Sequence, residues 1–160
     1  MWPENQYALP GTTLTDALTR LRQHIDQLPV QLSALSVSAL QQPRQPGKWS
    51  RQEVVGHLID SALNNLRRFT EAQFSPQPYR TQSYAQEELV RVNHYGTMPP
   101  GELLALWQAL NRQILRVAST TPADKLSQAI AFPGTDEIRT LSWLIEDYVA
   151  HLEHHLDQLR

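Results

Sequence analysis

The sequence predicts an all-α protein, a single four-helix bundle with one long connection and short extra helices. Two observations carry this expectation. Apolar residues recur at mixed three- and four-residue spacing, the helical period, and no alternating strand series or internal repeat interrupts it. The eleven prolines and six glycines gather between four long proline-free stretches, Gly11–Leu28, Gly47–Ser75, Gly101–Thr121 and Gly134–Arg160. Proline breaks helix interiors, so these stretches are where long helices fit. A chain of 160 residues is long enough to bury one core, and residues 1–160 are expected to form a single domain.

The first helix shows Leu14, Leu18, Leu21, Ile25 and Leu28 at helical spacing. The second opens on Ser50 and Glu53, a Ser-x-x-Glu capping box in which hydroxyl and carboxylate each satisfy an orphan backbone N–H. Residues 75–83 form a loop, and 85–93 a short extra helix. Pro99-Pro100 breaks the chain before the third long helix, with Leu103, Leu106, Leu110, Ile114 and Val117 on one face. Thr121-Pro122-Ala123-Asp124 offers a cap, a proline at the first helical position and an acid in the first turn, so a short helix is expected there. Residues 126–140, with Phe132-Pro133-Gly134, are irregular or a short extended excursion. Glutamine is frequent but spread through the helices, without a low-complexity tract.

Composition narrows the chemistry. There is no cysteine, which removes disulfides, thiolate metal sites and a protein thiol nucleophile. Fourteen basic residues against sixteen acidic ones give a formal charge of -2, which argues against nucleic-acid and membrane partners. No apolar run is long enough for a membrane span, and the Met1 end lacks the basic and apolar regions of a signal peptide. The expected compartment is the cytoplasm. Six histidines remain, three of them in the last ten residues.

Those three lie on the last helix, within Thr140–Arg160. The segment Leu152-Glu153-His154-His155 resembles a tag scar, but the following Leu-Asp-Gln-Leu continues the helical pattern and marks it as native. At ~100° per residue from His151, Leu141, Leu144, Ile145, Tyr148, Val149, Leu152, Leu156 and Leu159 fall between roughly 20° and 160°. His155, at about 40°, lies inside this apolar face and His151 on its edge, while His154, at about 300°, points outward. A His-x-x-x-His pair one turn apart can converge on one cation. It can equally be a pair of edge residues bonded to water. A metal site needs a third ligand, and the candidates are His24, His57 and His94. His24 sits among charged neighbours, and His94 near the end of the short helix. His57 heads a stripe with Ser61, Asn64 and Arg68, which is either a solvated face or the polar wall of a cavity.

Gly47-Lys48-Trp49-Ser50 before the second helix, then Val54-Val55-Gly56-His57-Leu58 with Asp60 and Asn64, form one half of a resemblance. The other half is His151-Leu152-Glu153-His154-His155. Together they resemble the DinB-like metal-binding four-helix bundles, which include a bacillithiol transferase and the mycothiol-dependent maleylpyruvate isomerases. The resemblance covers essentially the whole chain in its order of elements. It implies His57, His151 and His155 as metal ligands, the same choice over His154 that the helical angles make.

Three imidazoles without a clear carboxylate imply a divalent metal, Zn or Ni first, with Fe, Mn or Co as alternatives. The resemblance also implies a small-molecule substrate and a low-molecular-weight thiol as cosubstrate. Thiol transfer or hydrolysis would be the reaction, and a non-catalytic, metal-stabilised binding module is the alternative. Any sulfur nucleophile would have to arrive with the ligand. Asp147, one turn before His151, and Asp60, three residues after His57, are candidates to orient the ligand rings, or are solvated charges. Asn64, Arg68 and Tyr148 are candidates to line the pocket. Trp49 and Trp143 are expected to pack against helix ends. A homodimer would be in keeping with the family.

Overall fold

The structure, a computed structural model, describes residues 7–160. Four long helices form the bundle: α1 (Leu14–Ser33), α3 (Arg51–Glu71), α5 (Pro100–Thr120) and α7 (Leu141–Asp157). Short helices α2 (Val37–Gln41), α4 (Gln86–Val92) and α6 (Ala123–Leu126) lie in the connections, with a 3-10 turn at Tyr95–Thr97. The core runs between α3 and α5, and α1 closes against α5 and α7. Leu21, Leu58, Ile59, Phe69, Trp107, Ile114, Leu144 and Ile145 are buried there. No described helix is long and apolar enough to cross a membrane.

Helix starts follow the capping chemistry. Ser50 Oγ accepts from the Glu53 N–H while the Glu53 carboxylate accepts from the Ser50 N–H, the full capping box. Thr13 and Thr140 cap α1 and α7 in the same sense. The short helix α6 starts without its expected cap. The Thr121 hydroxyl instead donates back to the Val117 carbonyl at the end of α5.

Helix α1 runs past Leu28 and through Pro29 to Ser33. A proline inside a helix frees the carbonyl four residues earlier. Here that group is Ile25 O, and the Gln108 side-chain amide of α5 donates to it at 3.0 Å. The neighbouring helix thus satisfies the acceptor that would otherwise end α1 at Leu28.

A small three-stranded sheet joins the two longer connections. β1 (Tyr79–Arg80) pairs parallel with β2 (Ala129–Ala131), which pairs antiparallel with β3 (Ile138–Thr140). Residues 75–83, expected to be loop throughout, therefore contain a strand, and the extended excursion of 126–140 is a hairpin. Gly134 takes its turn at a φ of 76°. Strands this short carry too little period-two pattern to be seen in sequence. β3 leads directly into α7, which fixes where that helix begins.

Candidate metal centre

His57, His151 and His155 meet where α3 crosses α7. One nitrogen from each ring lies within 4.8 Å of the others. His57 Nε2 and His151 Nε2 are 3.3 Å apart, and the ring centroids of His57 and His155 are 4.5 Å apart. His57 is fully buried, two turns inside a helix whose start the capping box fixes. His151 is buried and His155 half-buried, one turn apart on α7. His154 points outward and is exposed, as the helical angles require.

The outer ring atoms have distinct surroundings. His155 Nδ1 is 3.0 Å from Gln158 Oε1, which leaves its Nε2 for the cluster. His151 Nδ1 is 3.4 Å from Ser61 Oγ. His57 Nδ1 is buried without a hydrogen-bond partner among the described residues. The Trp49 indole lies 5.1 Å from the His57 ring, and Tyr7 stands edge-on to His151 at 5.1 Å.

These surroundings settle the protonation. Burial pushes His57 down to about 3, and the cost of protonating it beside the His155 ring adds to the effect. Burial, then His155, hold His151 well below its ordinary value, and burial also lowers His155. All three rings are therefore neutral near pH 7 and carry free lone pairs, the form that binds metal. The donor set fits a cation as well. Nitrogens about 2.0–2.1 Å from a tetrahedral zinc sit about 3.3 Å apart, the spacing of the His57 and His151 nitrogens.

The remaining site candidates are placed elsewhere. Asp60 does not reach a histidine ring; its Oδ1 accepts from the Tyr95 hydroxyl at 2.7 Å and from Asn93 Nδ2 at 3.1 Å. Asp147 does not bond His151 either. Its Oδ1 accepts from the backbone N–H groups of Tyr7 and Ala8 at 2.6 and 2.9 Å. Tyr148 belongs to the core and donates to Asn111 Oδ1 at 2.6 Å, so it lines no pocket at the histidines. Asn64 and Arg68 do line a cavity, but it is a separate one further along α3. His24 pairs with Glu153 at 3.0 Å, and His94 is exposed at the start of the 3-10 turn. Trp49 lies against His57, and Trp143 against Phe132 and Arg139.

Sequence reasoning missed Gln158 and Tyr7. Gln158 had a local signal, since it follows His155 by three residues and shares its side of the helix. Tyr7 had none, because its position depends on a contact with Asp147 across 140 residues of chain.

A protein-family model described as the DinB superfamily matches residues 14–159. YfiT of Bacillus subtilis, designated a candidate metal-dependent hydrolase, is 28% identical over 142 residues, covering 84% of this chain and 77% of YfiT. A Bacillus mycoides protein of the same designation is 26% identical, over 96% of this chain and 90% of its own. The solved structure of YfiT, described as an unusual four-helix bundle topology, aligns with a TM-score of 0.78 at 25% identity. That alignment covers 98% of this chain and 91% of YfiT. The mycothiol-dependent maleylpyruvate isomerase shares the fold at a TM-score of 0.69 and 17% identity. There the alignment covers 91% of this chain and 60% of the isomerase.

Proposed function

The chain belongs to the DinB superfamily, and from that premise we propose that it is a divalent-metal-dependent enzyme acting on a small molecule, with hydrolysis as its reaction. The observation that carries this is the convergence of three neutral imidazoles, one nitrogen from each within 4.8 Å of the others. The designation of the Bacillus relatives as candidate metal-dependent hydrolases supports the same reading.

His57, His151 and His155 would hold the metal, and nitrogen donors without thiolate favour zinc or nickel. When bound, the metal would lower the pKa of water or polarise a substrate oxygen. The residues around the trio do the positioning. Gln158 fixes the His155 ring through Nδ1, and Ser61 stands at Nδ1 of His151. Trp49 and Tyr7 wall the His57 and His151 rings and limit their contact with solvent.

The test is metal content followed by turnover. Protein purified without added metal is analysed for metals, then assayed against ester, amide and lactone substrates. Parallel assays add glutathione, coenzyme A, bacillithiol or mycothiol with a generic electrophile. Metal-dependent hydrolysis without thiol supports the proposal. Turnover only with a thiol replaces hydrolysis by thiol transfer. Bound metal with neither activity favours a metal-stabilised binding module.

A further inference from the structure

The three clustered imidazoles are held by different means. His155 Nδ1 has Gln158 Oε1 at 3.0 Å, and His57 is fully buried with the Trp49 indole 5.1 Å from its ring. His151 Nδ1 has Ser61 Oγ at 3.4 Å, beyond the usual length of a hydrogen bond. Against the His151 ring lies Tyr7, with centroids 5.1 Å apart and planes 68° apart. The Tyr7 ring is also 5.0 Å from that of His154, so it rests across α7 between the two histidines. Tyr7 is itself fixed by Asp147, one turn before His151 on the same helix. This fully buried carboxylate accepts from two successive backbone N–H groups, those of Tyr7 at 2.6 Å and Ala8 at 2.9 Å. Short bonds to adjacent amides fix the direction of the segment as well as its position. Beyond Ala8 the chain turns, with the Thr12 N–H donating to the Leu9 carbonyl and Gly11 at a φ of 82°, straight into the Thr13 cap of α1. The segment that carries Tyr7 is thus anchored to α7 at one end and to α1 at the other.

We infer that Asp147 positions His151 through Tyr7: the carboxylate holds the backbone at residues 7 and 8, and the Tyr7 ring keeps the His151 imidazole turned towards His57 and His155. This rests on the three-histidine metal centre proposed above. An imidazole free to swing out of the cluster gives up rotamer freedom when it binds a metal, and one already held in place does not. A hydrogen bond to the outer ring nitrogen commonly does this for a metal-bound histidine. At His151 the long Ser61 contact leaves that task to packing. The carboxylate one turn before His151 therefore does act on that ring, by way of a residue 140 positions away in sequence. The contact is made by the face and edge of an aromatic ring, so the Tyr7 hydroxyl has no part in it.

Two measurements test this. NMR of the metal-free protein, labelled at histidine, reads the cross-relaxation peak between the His151 and His57 rings. The rate at which bound zinc passes to a chromophoric chelator is measured in parallel. Tyr7→Ala should weaken the cross-peak and speed zinc release by about tenfold. Tyr7→Phe keeps the ring and should match the parent protein in both. Asp147→Ala should resemble Tyr7→Ala, whereas Asp147→Asn keeps an oxygen for the two amides and should resemble the parent. In the double variant Asp147→Ala should add nothing to Tyr7→Ala, because both act through one ring. A carboxylate that served only the stability of the fold would add its own effect. The inference is overturned if Tyr7→Ala leaves the cross-peak or the release rate as in the parent, or if the effects of the two alanine variants add. Should Asp147→Ala fail to fold, the contrasts of Tyr7→Ala with Tyr7→Phe and of Asp147→Asn with the parent decide it. A parent protein that binds no zinc refutes the metal centre itself, and the cross-peak alone then decides whether Tyr7 holds the His151 ring.

Discussion

The ring of Tyr95 occupies the space that a side chain on Gly56 would need. A Cβ built at position 56 would lie 2.2 Å from Tyr95 Cδ2 and 2.3 Å from its Cγ. One turn before Gly56, the Gln52 side chain donates to the Tyr95 carbonyl at 2.7 Å. One turn after it, Asp60 Oδ1 accepts from the Tyr95 hydroxyl. The stripe Gln52, Gly56 and Asp60 therefore seats the 3-10 turn on α3, beside the helix face that carries His57. Gly56→Ala is expected to destabilise the protein by about 1–3 kcal/mol through overpacking. Gly101→Ala, in α5 with open space around the new methyl, is expected to be neutral or to stabilise by up to about 1 kcal/mol. Urea denaturation of the two variants checks the opposite signs.

The three-histidine cluster predicts a pattern of metal loss. His57→Ala and His155→Ala each leave two ligands and should lose most bound metal, whereas His154→Ala, on the exposed side, should retain it. Gln158→Leu removes the oxygen that faces His155 Nδ1, and is expected to weaken metal affinity by about tenfold or more. Metal per chain after dialysis against a weak chelator is the measurement. Equal loss in His154→Ala and His155→Ala would contradict this assignment.

Without metal, the same burial makes stability depend on pH. His57 titrates in the unfolded chain near its ordinary 6.5 but is held at about 3 when folded. Between those values the unfolded state binds more protons, so lowering the pH favours unfolding. The stability is therefore fully present above about 6.5 and is lost as pH falls towards 3, by at most about 1.4 kcal/mol per pH unit for this residue. His151 and His155, also lowered, act in the same direction. Between pH 7.5 and pH 5 the chelator-treated parent should lose stability relative to its His57→Gln variant, a comparison of urea midpoints that cancels the opposite contribution of buried carboxylates such as Asp147.

The parts of the fold legible in sequence were those with local causes. The Ser50–Glu53 box and the proline gaps located the long helices, and the rotation of α7 separated His155 from His154. The DinB-like motifs identified which early histidine would join them. What escaped depends on partners distant in sequence. Helix α1 passes through Pro29 because Gln108 reaches Ile25 O, and nothing near Pro29 announces that. Asp60 and Asp147 sit at spacings suited to orienting a histidine, yet each binds groups on another segment. A helical period tells which face a carboxylate occupies, but not which neighbour reaches it first.

Asp147 is the clearest such case, and it yields the last prediction. The carboxylate is fully buried, with Oδ1 anchoring the backbone at Tyr7 and Ala8, while Oδ2 has no hydrogen-bond partner among the described residues. Burial raises its pKa, and the two backbone N–H groups only partly offset that. The folded state then holds its proton to higher pH than the unfolded state, so this residue's contribution is fully present below about 3.8 and is lost as pH rises through the raised value. Asparagine at this position keeps an oxygen for Tyr7 and Ala8 and cannot ionise. Relative to the parent protein, Asp147→Asn should therefore gain stability between pH 4 and pH 7.5, whatever its absolute effect. Asp147→Ala removes the acceptor altogether, and the Tyr7 and Ala8 amides should lose hydrogen-exchange protection that Asp147→Asn retains. A stability difference between Asp147→Asn and the parent that does not change with pH would show that the buried carboxylate does not titrate within that range.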